Sequence, residues 1–211
     1  MRVVSGSARG CKLSSPEGLD TRPTTDRIKE TLFNILSPEI YDCSFLDIFS
    51  GSGAIGIEAL SRGAKNAVFV EKAAPALKAI NDNLEKTRLK DRAFILNADA
   101  LKAVEMLKNK GEKFDLVFMD PPYRKDLAWP VMKAIKEADL LNKNGIIVVE
   151  EASEVKIPSV EGFEMYRTKD YRTTVCRFIS YQFLFTTFIF FVKQFIMLRI
   201  GLAFVDRKSV V

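Results

Sequence analysis

The 211-residue chain is predicted to adopt an α/β fold on a parallel sheet. Short apolar runs recur between residues 45 and 150, helical patterns separate them, and a glycine turn, Gly51-Ser52-Gly53, directly follows the first run. Apolar strands alternating with helices of about 10 to 15 residues signal βαβ units, whose crossover helices cover both faces of the sheet. Composition agrees: 47% hydrophobic and 28% charged residues suit a folded core rather than a disordered chain.

The elements follow in order. A β-prone start at 2–4 passes through Gly6, Gly10, Pro16 and Gly18 into Arg22-Pro23-Thr24. A helix is expected over 25–36, with Ile28, Leu32, Ile35 and Leu36 on one face and Pro38 beyond its end. Strands are expected at 45–49, 67–71, 93–96, 114–119 and 145–150. Between them lie helical patterns at 54–62, 75–87 (with Leu77, Ile80 and Leu84 as the stripe), 101–108 and 127–138. Runs at 163–168 and 173–179 flank Lys169-Asp170 and read as a closing antiparallel hairpin.

Three regions result: an extension over 1–40, a central domain over 41–181 and a tail over 182–211. The polar, glycine-rich start does not read as a signal peptide. The tail holds seven of the 16 Phe residues, and Lys193 and Arg199 interrupt its apolar stretch. A spanning helix needs about 20 predominantly apolar residues, so a non-native terminus is the expectation here, ahead of an amphipathic packing segment or a membrane anchor. The chain is expected to be a cytoplasmic monomer without membrane contact.

Composition also excludes chemistry. There is no histidine, which removes Ser-His-Asp and Cys-His catalysis, histidine bases and imidazole zinc sites. Cys11, Cys43 and Cys176 are far apart and form no CxxC pair, so neither a disulfide framework nor a thiolate metal cluster is expected, and no metal at all. The net charge of +5 is uneven. Arg2, Arg9 and Lys12 give residues 1–16 a charge of +3, the tail carries another +3, and the stretch between sums to −1. Any basic partner-facing surface is therefore terminal.

The chemistry is carried by two motifs. In the first, Gly51 and Gly53 let the backbone turn tightly and approach a ligand, while Gly56 permits close packing of helix on sheet. A lone GxGxxG is weak, but three acids sharpen it. Asp47 at the first strand end can face a cationic amine, Glu71 at the next can accept from both ribose hydroxyls, and Asp99 follows the third. Each alone would read as a cap or a solvated loop residue; in register they suit a nucleoside bearing an amine, S-adenosylmethionine. The second motif is Asp120-Pro121-Pro122-Tyr123 at the fourth strand end, beside the glycine loop because ligands bind beyond the carboxyl ends of parallel strands. Pro121 forces Asp120 extended, and two prolines leave carbonyls but few donors. Such a site can accept both N–H bonds of a planar exocyclic amine and favour its nucleophilic form. Tyr123 offers a stacking face for the base.

These motifs resemble the class I amino-methyltransferases. Arg2-Val3-Val4-Ser5-Gly6, Thr21-Arg22-Pro23-Thr24-Thr25-Asp26-Arg27 and Glu30-Thr31-Leu32-Phe33-Asn34 further resemble the RsmD family, which methylates guanine N2 in 16S ribosomal RNA. The resemblance spans roughly residues 2–181. It implies a Rossmann-like seven-stranded, mostly parallel sheet with one antiparallel closing strand and a short N-terminal β-hairpin extension. It also implies a cofactor set of Arg22, Thr24, Asp47, Ser50, Gly51, Gly53, Glu71, Lys72, Asp99 and Ala100. Asp120, Pro121, Pro122 and Tyr123 become the catalytic tetrapeptide, and the basic hairpin with Arg2, Arg9 and Lys12 the contact to RNA in the small ribosomal subunit or its assembly intermediate. Three alternatives stay open: a DNA adenine or cytosine amino-methyltransferase, for whose target-recognition region the short loops leave no room; a protein-glutamine methyltransferase; and an RNA-binding module on the same fold, which would tolerate loss of Asp120.

Overall fold

A computed structural model describes residues 1–16, 26–122, 127–155, 158–171 and 173–182. The expected 25–36 helix is α1 (Asp26–Ile35), followed by a short α2 (Ser37–Ile40), whose first turn holds Pro38, read from sequence as a helix end. The alternation then runs β1 (Ser44–Ile48), α3 (Ala54–Ser61), β2 (Asn66–Glu71), α4 (Ala74–Thr87), β3 (Ala93–Asn97), α5 (Ala100–Asn109), β4 (Phe114–Met119), α6 (Ala128–Glu137), β5 (Leu141–Ala152), β6 (Phe163–Tyr171) and β7 (Thr174–Tyr181). One seven-stranded sheet has the order β3-β2-β1-β4-β5-β7-β6. The strands from β3 to β5 pair in parallel, and β7 closes on β5 antiparallel. Met1–Ser180 forms one compact unit.

Two local expectations shift. β5 begins at Leu141 rather than 145, because Leu141 already pairs with Phe114 and the ladder continues past a register shift. The Asn142-Lys143-Asn144-Gly145 run, a turn by composition, is carried inside a bulged strand. On α4 the buried stripe is Ala76, Ala79, Ile80, Asn83 and Leu84, with Leu77 only half-buried.

The largest departure is on α1, whose buried face holds Lys29 beside Leu32 and Phe33. Lys29 and Glu58 are both fully buried, 3.2 Å apart, and Arg62 Nε donates to the same carboxylate at 2.8 Å. Glu58 also accepts from the Val4 and Ser5 N–H groups at 2.8 and 2.9 Å, and Lys29 donates to the Arg2 carbonyl. Burying a charge is costly unless it is paired and hydrogen-bonded, and here both conditions hold. The N-terminal segment is thereby fastened to α3. Arg2 and Lys12 form an antiparallel bridge, Gly10 donates to the Val3 carbonyl, and Ser61 Oγ donates to the Ser5 carbonyl. Gly6 has φ +84, and a Cβ there would lie 1.8 Å from the Ser61 carbonyl oxygen, so only glycine allows this approach.

The main core joins α1 to α4 with one side of the sheet. α5 and α6 pack on each other and onto β2 and β5. Among the described residues no helix is long and apolar enough to cross a membrane.

Candidate active site

The parallel register carries the site. Ile48 pairs with both Val70 and Met119, and Met119 with Val149, so the chain after β1 and β4 emerges level with Glu71 and Glu150. Glu71 in turn pairs with Asn97, two residues before Asp99. The carboxyl edge of four strands, β3, β2, β1 and β4, thus presents acids side by side over a cavity of about 680 Å3, a size typical of small-molecule sites. Its walls include Asp47, Ser50, Gly51, Glu71, Lys72, Asp99, Ala100, Asp120, Pro121 and Pro122.

Each acid has a definite setting. Asp47 is buried, and its Oδ2 accepts from the Gly56 N–H at 2.9 Å. Burial pushes its carboxyl up to about 7; the Gly56 bond opposes the rise and the Glu71 charge adds to it. Glu71 binds the turns around it: Oε2 accepts from Gly51 N at 3.0 Å, and Oε1 from Lys72 N at 2.8 Å and Ala73 N at 2.9 Å. Asp99 caps α5 by accepting from Lys102 N at 3.1 Å. Asp120 is held well above the usual carboxylate range, first by burial and then by the charges of Glu150, Asp47 and Glu151.

The glycine turn is shaped for close approach on one side. Gly51 has φ +54 and open space where a Cβ would stand, while Phe49 takes φ 65, a left-handed conformation that costs a bulky residue energy and marks the turn as strained. Four acids, Asp47, Glu71, Asp99 and Asp120, and this open cradle thus share one cavity.

A family model described as "Conserved hypothetical protein 95" matches residues 1–180. Ribosomal RNA small subunit methyltransferase D of Escherichia coli K12 is 37% identical over 170 residues, covering 80% of this chain and 84% of that protein. The chain belongs to the methyltransferase D family. Among solved structures, the methyltransferase candidate yhhF of E. coli matches with a TM-score of 0.75 at 35% identity, covering 86% of this chain and 98% of that one. A hypothetical protein of Thermus thermophilus matches with a TM-score of 0.74 at 30% identity, covering 85% and 99%.

The structure of this family member gives the expected site residues different surroundings. Gly53 does not line the cavity: its φ of +74 serves the turn, and a Cβ there would meet Ile80 at 3.2 Å and Phe69 at 3.3 Å. Ser50 does line it, but its hydroxyl donates to the Asp47 carbonyl at 2.7 Å and so braces the turn. Gly56 meets its expectation, since a Cβ would stand 2.4 Å from the Phe69 ring. Arg22, Thr24 and Tyr123 lie outside the described residues, as does the Phe-rich stretch from 183 onward. Arg2, Arg9 and Lys12 are all exposed on the N-terminal segment; the bridge sets Arg2 beside Lys12, and Arg2 also pairs with Asp26 at 3.2 Å.

The sequence reading missed part of the cavity wall. Met1, Ser15 and Pro16 contribute from the N-terminal segment, and Leu127, Pro130 and Val131 from α6 and the residue before it. None carries a motif; the contribution of Met1, Ser15 and Pro16 follows from how the segment is clamped. Glu150 and Glu151, at the end of β5, were readable as acids closing a strand but were not assigned a role.

Proposed function

We propose that this protein transfers a methyl group from S-adenosylmethionine to the exocyclic N2 amine of a guanine in 16S ribosomal RNA. The observation that carries this reading is the convergence of Gly51, Asp47, Glu71 and Asp99 with Asp120-Pro121-Pro122 on one cavity, in a chain of the methyltransferase D family.

Asp47, Gly51, Glu71, Lys72, Asp99 and Ala100 would hold the cofactor, with Arg22 and Thr24 beside them. When bound, S-adenosylmethionine supplies an electrophilic methyl group on a sulfonium. The chain's own residues act on the amine. The Asp120 carboxylate and the Pro121 carbonyl accept its two N–H bonds, which concentrates the lone pair on nitrogen, and Pro122 keeps competing backbone donors away. Positive charge beside Asp47 and Asp120 favours their ionised forms, so Asp120 is a carboxylate when the amine arrives and can take the proton the methylated nitrogen sheds. The rest of the rate comes from holding the amine in line with the methyl. Tyr123 would stack on the base, and Arg2, Arg9 and Lys12 would bind RNA phosphates.

Labelled cofactor offered to undermethylated small subunits, naked DNA and a release factor tests this. Label is expected in the 16S ribosomal RNA alone; label in protein or DNA overturns the assignment.

A further inference from the structure

Asn83, on α4, is fully buried and stands where two distant pieces of chain meet. Its Oδ1 accepts from Ser14 N at 2.8 Å, and its Nδ2 donates to the Ser14 carbonyl and to the Ser52 carbonyl, each at 2.9 Å. The amide therefore pairs with the Ser14 peptide at two points, as a neighbouring strand would, and spends its remaining donor on the glycine turn. Ser15, Pro16 and Ser52 all line the cavity. Other anchors of the N-terminal segment are Glu58 and Ser61 on α3, which reach residues 4–8, and Asp26 and Lys29 on α1, which reach Arg2. Asn83 binds both the segment and the turn.

We propose that Asn83 is a positioning residue that couples the N-terminal segment to the glycine turn and so sets affinity for the cofactor. This rests on the cofactor reading above. The orientation of the amide is what matters: a carboxylate at this position keeps size and shape but turns one acceptor oxygen toward both the Ser14 and the Ser52 carbonyls, which lose their donor. The turn and residues 15–16 then lose their shared reference, while Asp120 and Pro121, beyond β4, keep theirs.

The test compares wild type, Asn83→Asp and Asn83→Ser with Leu84→Ala, which opens a cavity in the same helix without touching either carbonyl. S-adenosylhomocysteine affinity is measured by calorimetry, KM and kcat with small subunits, and amide hydrogen exchange at Ser14 and Gly53, all at a temperature where every variant is folded by circular dichroism. For Asn83→Asp we expect affinity about tenfold weaker or more and a matching rise in KM for S-adenosylmethionine. kcat at saturation should stay within about threefold, because the Asp120 site is undisturbed. Protection at Ser14 and Gly53 should fall together; Asn83→Ser should lie between, and Leu84→Ala should leave affinity and the paired protection as in wild type. Losses no larger in the Asn83 variants than in Leu84→Ala overturn the proposal. If wild type itself fails to bind S-adenosylhomocysteine, the cofactor reading fails instead, and joint or separate loss of protection at Ser14 and Gly53 still decides the coupling.

Discussion

Two buried acids in this molecule have opposite surroundings. Glu58 meets Lys29, Arg62 and two backbone N–H groups, all within 3.2 Å. Asp47 is as deeply buried but accepts from the Gly56 N–H, and the named charges acting on it and on neighbouring Asp120 are other carboxylates. The first arrangement is closed: its charges are matched and its task is to fasten the N-terminal segment. The second is electrostatically unbalanced and opens on a cavity, so a cation bound there gains what Glu58 already has. Perturbed acids in a cleft point to function, whereas an equally buried acid in a satisfied network points to structure.

The largest expected effect probes the unbalanced site. Asp120→Ala should lower methyl transfer by about a thousandfold, while calorimetric affinity for S-adenosylhomocysteine changes little. A large loss of affinity would move Asp120 from the amine to the cofactor. At the closed site, Lys29→Met should cost about 3 to 5 kcal/mol in urea unfolding, because it leaves part of a buried charge unmatched. Cofactor affinity of the folded protein should hold.

How far the two sites could be read from sequence follows from the same contrast. The cavity acids were legible because each sits at a strand end, and parallel strands bring their carboxyl ends to one edge whatever lies between. The Asp120-Pro121-Pro122 turn was legible because proline restricts the backbone locally. The Glu58 cluster was not. Lys29 falls on what reads as an amphipathic helix flank and Glu58 in an apolar helix, and nothing in either segment announces the other. Gly53 is a related case: a positive φ serves both a ligand cradle and a turn packed against Ile80 and Phe69, and spacing alone does not separate them. Asn83 looked like an ordinary polar helix residue because its partners lie at Ser14 and Ser52, far away in sequence.

Acidity separates the sites further. Asp47 rises from 3.8 to about 7 on folding, so between those values the folded protein keeps a proton that the unfolded chain has lost. The Asp47 contribution to stability should therefore fall as pH rises through this window and be lost above about 7; Asp120, raised in the same direction, adds a slope of the same sign, and Asp47→Asn should remove the Asp47 share. Binding of a cation runs the other way. S-adenosylmethionine affinity should rise about tenfold per pH unit below about 7 and flatten above it, with protons released on binding. Equal affinity at pH 6 and pH 8 would mean that Asp47 does not meet the cofactor's charge.

The smallest effects belong to the exposed N-terminal cations. Arg9→Ala or Lys12→Ala should each reduce the salt dependence of RNA binding by about one unit of log-log slope, leaving kcat unchanged. An unchanged slope in both would remove this segment from the RNA interface.

The most direct measurement is mass-spectrometric mapping of the methyl group after reaction with undermethylated small ribosomal subunits. A site built from the Asp120 carboxylate and the Pro121 carbonyl should leave the methyl on the exocyclic N2 of one guanine in 16S ribosomal RNA. A methyl on a ring nitrogen, on carbon or on a ribose hydroxyl would contradict it.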